Sequence, residues 1–248
     1  MSRELEPEVM EGDIEASAYD ELDRLWGDVL FQGFAESALG LGVEEGRVLD
    51  VGTGSGRVAL RLARLNPAFS IEGIDLSHAM LNLARKNAAS EGVSNVHFTF
   101  GDAKHLPYQS GAFDLVICHQ FLHQLADPVV ALREIMRVAK ADGAILVRDI
   151  RRLPKPFMTL ALPLWCLRYS PKLREQTYAS FHAALTRREF HQLVAKAGLE
   201  RATFRTHLLT HQTVERRATR APVTRRAPPS SPHLSWIVRV MKRPYVTR

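Results

Sequence analysis

Cysteine is scarce in this sequence, and long apolar runs are absent. The 248 residues include two cysteines, Cys118 and Cys166, which excludes a disulfide framework and a cysteine-rich metal site and favours a reducing compartment. No window approaches the roughly 20 apolar residues that cross a bilayer. The first 17 residues are acidic and lack the apolar stretch of a secretory signal. The composition therefore predicts a soluble, cytoplasmic protein without stable membrane insertion.

The net charge of +6 is unevenly distributed along the chain. Residues 1–23 contain nine acidic residues and one basic residue, whereas residues 215–248 contain nine basic residues and one acidic residue. A nucleic-acid-binding face needs its basic groups collected on a folded surface. The charges of the two ends cancel, so the net charge does not by itself imply a nucleic-acid partner. The basic tail is a candidate for such contact and the core is not, which leaves nucleic acid as the less favoured partner.

Short apolar strands alternate with helical patterns between residues 47 and 150, as in repeated βαβ units. The five strands predicted there are residues 47–51, 70–75, 96–101, 113–118 and 144–149. A sixth strand is predicted at 200–208, and two segments, 212–216 and 235–242, compete for the place of a seventh. This rhythm predicts an α/β fold with a Rossmann-like, doubly wound, mostly parallel seven-stranded sheet.

Capping signals predict where the helices begin and end. The residues that carry these signals are Pro67, Ser77, Asp127 with Pro128, the capping-box pair Thr186 and Glu189, and Gly198. They predict helices over residues 56–66, from 77 to about 89, from 127 to about 142–143, and from 186 to 198.

An insertion of about 35 residues, 151–185, separates the fifth strand from the last helix and is far longer than an ordinary connection. Its residues 157–167, FMTLALPLWCL, are apolar on every face, which predicts a helical lid. The expected domains are an acidic N-terminal segment with cap helices (1–45), the main domain with this lid (46–220), and a basic Pro/Arg-rich tail (221–248). Within the tail, residues 221–232 are predicted to be disordered.

The most informative motif is VLDVGTGSGR, residues 48–57, in which a strand with an acidic residue, Asp50, runs into three alternate glycines. Glycine is needed where backbone approaches a ligand or where φ is positive. Asp75 ends the next strand, where an acid can accept hydrogen bonds from both ribose hydroxyls. A dinucleotide fingerprint requires glycine at position 57, which is Arg57 here, and Asp50 suits an ammonium group better than phosphates.

On this motif and three others the sequence resembles the class I S-adenosylmethionine-dependent methyltransferases, in particular the ubiquinone/menaquinone-biosynthesis (type 11) group. The other motifs are GIDLS (73–77), GDAKHLPYQSGAFDLVICHQFLHQL (101–125) and REIMRVAKADGAILVRD (133–149). The resemblance implies S-adenosyl-L-methionine as cofactor and S-adenosyl-L-homocysteine as product. The resemblance places Asp50, Gly52 and Gly54 around the methionine portion, Asp75 at the ribose, Asp102 with Ala103 at the adenine, and the backbone of His119 near the methionine amino group. The other implied cofactor-binding residues are Thr53, Gly56, Leu76 and Met80.

The residues that are candidates for catalysis and for binding the methyl acceptor belong to less specific sequence patterns than the cofactor motifs do. His123 is a candidate general base, because its ordinary pKa suits deprotonation of a hydroxyl or amine, and it is alternatively a packing residue. Three arginines at the end of the fifth strand, Arg148, Arg151 and Arg152, either bind an anionic group of the substrate or pair locally with Asp149. Trp165 of the lid is a candidate substrate contact. No metal is predicted, since no cysteine or carboxylate accompanies His119 and His123 at ligand spacing.

These features predict methyl transfer to a small-molecule acceptor, hydrophobic or aromatic, by alignment of the reacting atoms. The alternatives are a nucleic-acid or protein methyltransferase and a non-catalytic S-adenosylmethionine-binding module. The segment after the fourth strand is CHQF (118–121), which lacks the Asn/Asp-Pro-Pro-aromatic signature of amino-directed nucleic-acid enzymes. The acceptor atom and the oligomeric state are left open by the sequence.

Overall fold

A computed structural model of the chain describes residues 3–6, 13–207 and 209–219. Its centre is a seven-stranded sheet in the order β3-β2-β1-β4-β5-β7-β6. The strands are β1 (Gly46–Val51), β2 (Phe69–Asp75), β3 (Val96–Phe100), β4 (Phe113–His119), β5 (Ala139–Ile150), β6 (Thr203–His207) and β7 (His211–Arg216). β7 pairs antiparallel with both of its neighbours, and the pairs among β1 to β5 are parallel. The predicted fold class is confirmed.

The strand predictions agree with the structure to within a few residues except at β5. This strand begins at Ala139, and the preceding helix ends at Val138, so the prediction that the helix continues to residues 142–143 was wrong. Within this strand the backbone packs closely at Gly143. A Cβ atom there would lie 2.7 Å from the Asp114 carbonyl oxygen, so the absence of a side chain lets the two backbones approach.

The seventh strand is the segment 211–216, one of the two that competed for this place. It lies between β5 and β6 with the register Ile145 to Arg216 on one side and Thr203 to Glu215 on the other. The other candidate, residues 235–242, and the stretch 221–232 that was predicted to be disordered both lie outside the described residues.

Eight α-helices surround the sheet in the described part of the chain. They are α1 (Asp13–Gly27), α2 (Gly33–Leu39), α3 (Arg57–Leu65), α4 (His78–Glu91), α5 (Pro128–Val138), α6 (Leu162–Trp165), α7 (Pro171–Ala183) and α8 (Arg187–Ala197). The predicted caps are confirmed: Ser77 and Asp127 accept backbone N–H groups, and Thr186 and Glu189 form the capping box. Side chains of α5 and α8 pack on one face of the sheet and those of α2, α3 and α4 on the other.

The insertion after β5 leaves the sheet and returns to it at one point. Arg151 forms a β-bridge with Leu185, and the backbone N–H of Arg152 donates to the Leu185 carbonyl at 3.0 Å. Between these ends the chain forms a π-helical turn (Phe157–Ala161), α6, a 3₁₀ turn (Cys166–Arg168) and α7. Buried side chains join these elements to α1 in a third hydrophobic cluster. No described helix is both long and apolar enough to cross a membrane.

We expect Gly143→Ala to destabilise the protein, because the added methyl group would be forced against the Asp114 carbonyl. Overpacking of this kind costs about 1–3 kcal/mol, which chemical unfolding detects as a lower denaturant midpoint. The matched control is the exposed neighbour Asp142→Ala, which should change the free energy of unfolding by less than about 0.5 kcal/mol. Equal stability of the Gly143→Ala variant and the parent would contradict the close packing.

Candidate active site

A cleft of ≈ 740 Å³, its open mouth included, lies at the carboxyl edge of β1, β2 and β4. We call it the glycine-turn cleft, because the turn after β1 forms one wall, with φ of 69° at Gly52, 52° at Gly54 and 77° at Gly56. A Cβ atom at Gly52 would lie 2.5 Å from the Phe121 ring, whereas one at Gly54 would have no atom within 4 Å. The backbone at Gly54 is therefore open to a ligand.

Asp50 lies at the base of this cleft and is 1% exposed. Its Oδ2 atom accepts a hydrogen bond of 2.8 Å from the Thr53 hydroxyl. Burial, with the charge of Asp75 adding to it, raises the pKa of Asp50 to about 7, although the hydrogen bond from Thr53 opposes the shift. A cationic group in the cleft would compensate the buried carboxylate, so the site fits the ammonium group of S-adenosylmethionine.

Asp75 lies beside the glycine turn at the end of β2. Its Oδ2 accepts from the Gly54 N–H at 2.8 Å and its Oδ1 from the Ser77 N–H at 2.9 Å. Burial raises the pKa of this carboxyl group as well, while these hydrogen bonds lower it. Each carboxylate oxygen has a further lone pair, so Asp75 retains the capacity to accept from the two hydroxyls of a ribose.

A smaller cleft of ≈ 300 Å³ adjoins the first, and we call it the Asp102 cleft. Asp102 and Ala103 line it, and Asp75 and Leu76 line both clefts. The order from the glycine turn through Asp75 to Asp102 matches the order methionine, ribose and adenine in S-adenosylmethionine. Phe121 also lines both clefts, and sequence reasoning missed it although it closely follows β4.

His119 provides a polar atom that suits a ligand in the glycine-turn cleft. Its imidazole is buried against the Phe34 ring at 4.5 Å, and its Nε2 has no hydrogen-bond partner among the described residues. Burial lowers its pKa well below the ordinary value, and the positive charge of Arg148 adds to this effect. A neutral imidazole with an unsatisfied buried nitrogen fits a site that a polar ligand completes.

Of the eleven residues predicted for the cofactor, ten line one of these two clefts. In the glycine-turn cleft are Asp50, Gly52, Thr53, Gly54, Asp75, Leu76, Met80 and His119, and in the Asp102 cleft are Asp102 and Ala103. Gly56 lines neither, since its Cα faces the Phe98 ring and serves packing. The donor set and its order along the two clefts fit S-adenosylmethionine.

A third and larger space of ≈ 1240 Å³, which we call the large cavity, lies between α1, the insertion and the turn that joins β6 to β7. Its apolar lining includes Leu22, Trp26, Leu30, Ile150, Phe157, Trp165, Leu173 and Phe181. Trp165 meets Trp26 edge to face, with ring centroids 5.7 Å apart. Polar side chains of Gln120, His123, Thr210 and His211 line it as well. The candidate Trp165 thus faces this cavity.

Gln120 alone among the described residues lines both the glycine-turn cleft and the large cavity. Its backbone has a φ of 54°, unusual for a residue with a side chain. Its amide Nε2 lies 2.8 Å from His211 Nε2, and His211 Nδ1 lies 2.9 Å from the Thr210 hydroxyl. Because an amide NH₂ only donates, His211 accepts at Nε2 and carries its proton on Nδ1.

His123 forms a buried ion cluster and is not free to act as a base. Its Nδ1 lies 2.6 Å from Asp149 Oδ1 and its Nε2 lies 3.1 Å from Glu6 Oε1. Burial alone would lower the pKa of His123, but Asp149 and Glu6 outweigh it and raise the pKa to about 9. The ring is therefore a cation at neutral pH with both N–H groups engaged, which favours a positioning role over general base catalysis.

The three candidate arginines line none of these spaces. Arg148 is buried, donates to the Thr213 and Ser37 hydroxyls, and lies over the Phe34 ring. Arg151 donates to the Leu209 carbonyl. Arg152 lies 2.8 Å from both carboxylate oxygens of Glu189. None of these contacts is the predicted local pair with Asp149, which is hydrogen-bonded to His123 instead, and the binding of an anionic substrate group by these arginines stays a prediction.

Comparisons with known proteins agree with this geometry. A family model described as a methyltransferase domain matches residues 43–198. The uncharacterised methyltransferase YcgJ of Bacillus subtilis is 37% identical over 42% of this chain and 41% of its own length. The ubiquinone/menaquinone biosynthesis C-methyltransferase UbiE of Citrifermentans bemidjiense is 32% identical over 64% of this chain and 69% of its own length. This chain thus spans less than half of the first relative and about two thirds of the second.

A solved structure adds evidence on the fold. The crystal structure of a SAM-dependent methyltransferase from Aquifex aeolicus superposes with a TM-score of 0.59, covering 81% of this chain and 96% of that one. At 19% sequence identity this likeness concerns the fold alone.

We expect the affinity for S-adenosylmethionine to fall as the pH is lowered, because Asp50 must be ionised to pair with an ammonium group. The ligand-free pKa of Asp50 is about 7. Below that pH each further unit should weaken binding by up to about tenfold. Calorimetric titration between about pH 5.5 and 7 measures this effect, since a free α-amino group has a pKa of about 7.7–8.0 and stays protonated in that range.

The control is Asp50→Asn, which should bind the cofactor more weakly at about pH 7 and lose most of the pH dependence. Stability should move in the opposite direction. Folding raises the pKa of Asp50, so its contribution makes the ligand-free protein more stable as the pH falls from about 7 towards 4. An affinity that is constant over this range in the parent protein would contradict the assigned role.

Proposed function

This chain belongs to the S-adenosylmethionine-dependent methyltransferases, and we propose that it transfers the methyl group to a small hydrophobic or aromatic acceptor bound in the large cavity. The observation that carries this proposal is that a largely apolar cavity meets the cofactor site at a single described residue, Gln120. Ligand sites are typically concave and apolar with a few placed polar groups, and the large cavity has this composition.

The cofactor, when bound, supplies a sulfonium-activated methyl group. Asp50 and the Gly54 backbone would hold its methionine portion, Asp75 its ribose, and Asp102 with Ala103 its adenine. The reaction then needs an acceptor atom held in line at close contact, and orientation of this kind is worth up to about 7–11 kcal/mol of the barrier. This accounts for a site in which the candidate base His123 is occupied by Asp149 and Glu6.

The insertion (residues 151–185) acts as the lid over the acceptor in this proposal. It contributes Phe157, Trp165 and Phe181 to the cavity lining, and its two ends meet at the carboxyl edge of β5. An apolar wall of this size excludes water from the reacting atoms and favours hydrophobic acceptors. The relative UbiE is named for methylation in quinone biosynthesis, which supports an aromatic or quinone-like acceptor.

Transfer of a tritiated methyl group from S-adenosylmethionine tests the proposal. We expect the label to enter a solvent-extractable small molecule of a cell extract, because the large cavity suits a small apolar ligand. RNA and protein fractions are assayed in parallel. Label in either of those fractions would support the alternative acceptor classes, and cofactor binding without any transfer would indicate a non-catalytic binding module.

Two variants separate the acceptor site from the cofactor site in the same assay. Trp165→Ala removes an aromatic wall of the large cavity and should lower kcat/KM for the acceptor by about 10–100-fold, with unchanged cofactor affinity. Asp75→Ala should weaken cofactor binding by about 10–100-fold and leave the acceptor KM nearly unchanged. Trp165→Phe keeps an aromatic ring in the wall and is the conservative control, and thermal melting of each variant checks that it is folded. Parallel loss of both affinities in Trp165→Ala would contradict the division into two sites.

Gln120 should position the acceptor, because it lies where the cofactor cleft meets the large cavity. We expect Gln120→Gly to lower kcat by about 10–100-fold while cofactor affinity changes less than about threefold. Glycine relieves the positive φ of this position, which offsets part of the stability lost with the hydrogen bond to His211. Gln120→Asn, which also tolerates this backbone conformation, should retain part of the activity. A joint loss of melting temperature and cofactor affinity would indicate a structural role instead.

A further inference from the structure

The segment between Phe157 and Arg168 is apolar on two opposite faces. One stripe points inward and is nearly or completely buried, and it consists of Met158, Leu162 and Cys166. The other stripe is 67–70% exposed, and it consists of Leu160, Leu164 and Leu167. Residues spaced three and four apart share one side of a helix. The protein therefore presents a row of leucines to its surroundings, directly outside the wall of the large cavity.

The charges around this leucine stripe have one sign. Residues 150–174 include six Lys or Arg residues and no Asp or Glu. Lys155 and Arg168 flank the stripe and are exposed, as is Arg174 in the next helix. An exposed apolar stripe with cations beside it is the pattern of helices that lie in the interface of a membrane containing anionic lipids.

Another exposed apolar side chain borders the same cavity. Leu209, in the turn between β6 and β7, is 72% exposed and also lines the large cavity. Its φ of 59° is unfavourable for a leucine, and Arg151 donates a hydrogen bond to its carbonyl. The backbone thus holds a leucine outward at an edge of the cavity against both its conformational preference and the hydrophobic effect.

We propose that the leucine stripe and the basic residues beside it form a docking surface for an anionic phospholipid membrane. The helix would lie along the headgroup boundary with Leu160, Leu164 and Leu167 in the acyl layer, which is peripheral binding and not insertion across the bilayer. A protein partner fits less well, because stable interfaces bury about 800 Å² on each side and deplete lysine from their core. A narrow leucine stripe with basic residues on both sides fits a lipid surface instead, because the leucines can enter the acyl layer while the cations contact the anionic headgroups.

Membrane binding would give an apolar acceptor direct access to the large cavity. Phe157 and Trp165 of the same segment line that cavity, so a bilayer-dissolved acceptor could enter without crossing water. This link to catalysis rests on the proposed function, whereas binding to the membrane does not.

Sedimentation of the full chain with lipid vesicles tests the surface. We expect binding to phosphatidylcholine vesicles that contain about a quarter phosphatidylglycerol, and much weaker binding to phosphatidylcholine alone. The triple variant Leu160→Ser, Leu164→Ser, Leu167→Ser should reduce the affinity by at least about tenfold, while Leu25→Ser, an exposed leucine of α1, should not. Lys155→Glu with Arg168→Glu should also weaken binding, most strongly at low salt.

Calorimetry with S-adenosylmethionine and thermal melting check that the triple variant is folded, since none of its leucines lines the large cavity. Vesicle binding by the triple variant that equals that of the parent would overturn the proposal. The proposal would also be overturned if removal of residues 221–248 abolished vesicle binding while the leucine and Lys155/Arg168 substitutions left it unchanged. A parent dimer that the triple variant converts to a monomer, without vesicle binding, would assign the stripe to a second copy of the chain. Vesicle binding without methyl transfer would refute the proposed function alone.

Discussion

The arrangement of the site depends on one buried cation, the imidazolium of His123 between Asp149 and Glu6. Asp149 lies near the end of β5, where the insertion begins, and Glu6 belongs to an N-terminal stretch that Arg3 fastens to the carbonyls of Ala183, His123 and Leu125. The cluster therefore joins the sheet edge, the turn after β4 and the helices that wall the large cavity. Removing one partner would leave an uncompensated buried charge, which costs about 3–5 kcal/mol. Because folding raises the pKa of His123 to about 9, this stabilisation is fully present below its ordinary pKa of 6.5 and is lost as the pH rises through 9.

The same cation helps to keep its histidine neighbours neutral. Burial is the main cause that lowers the pKa of His119 and brings that of His211 to about 3, and the charges of Arg148 and His123 act in the same direction. Two neutral imidazoles thus lie on either side of Gln120, one in the glycine-turn cleft and one in the large cavity. Neutral hydrogen-bonding groups can orient the hydroxyl group of a substrate without the cost of removing further charges from water. The junction is consequently suited to alignment, which is the task that methyl transfer requires.

Features that depend on near neighbours in the chain were predictable. The glycine turn, the acid at the end of β2 and the capping box of α8 each follow from a few adjacent residues, and the structure has all three. Features that depend on packing were not. Gly143 lies within β5 against the carbonyl of Asp114, 29 residues away along the chain, although the local sequence predicted it at the end of a helix. The partner of Asp149 is His123 and not one of the nearby arginines. No local pattern distinguishes these outcomes, since each is decided by which side chains meet at the edge of a completed sheet.

The insertion (residues 151–185) is a further case in which the local sequence does not show how side chains pack. A run that is apolar on every face predicts burial but not on which side, because a helical period needs polar residues to mark the water-facing face. In the folded protein the two faces of this run have different surroundings. Met158, Leu162 and Cys166 complete a hydrophobic cluster with α1, and Leu160, Leu164 and Leu167 remain outside it. A lid for a soluble, polar acceptor needs only the first set, because its outer face would gain from polar residues. The second set is understandable if the outer face of the segment, like the inner face that packs against α1, has apolar surroundings.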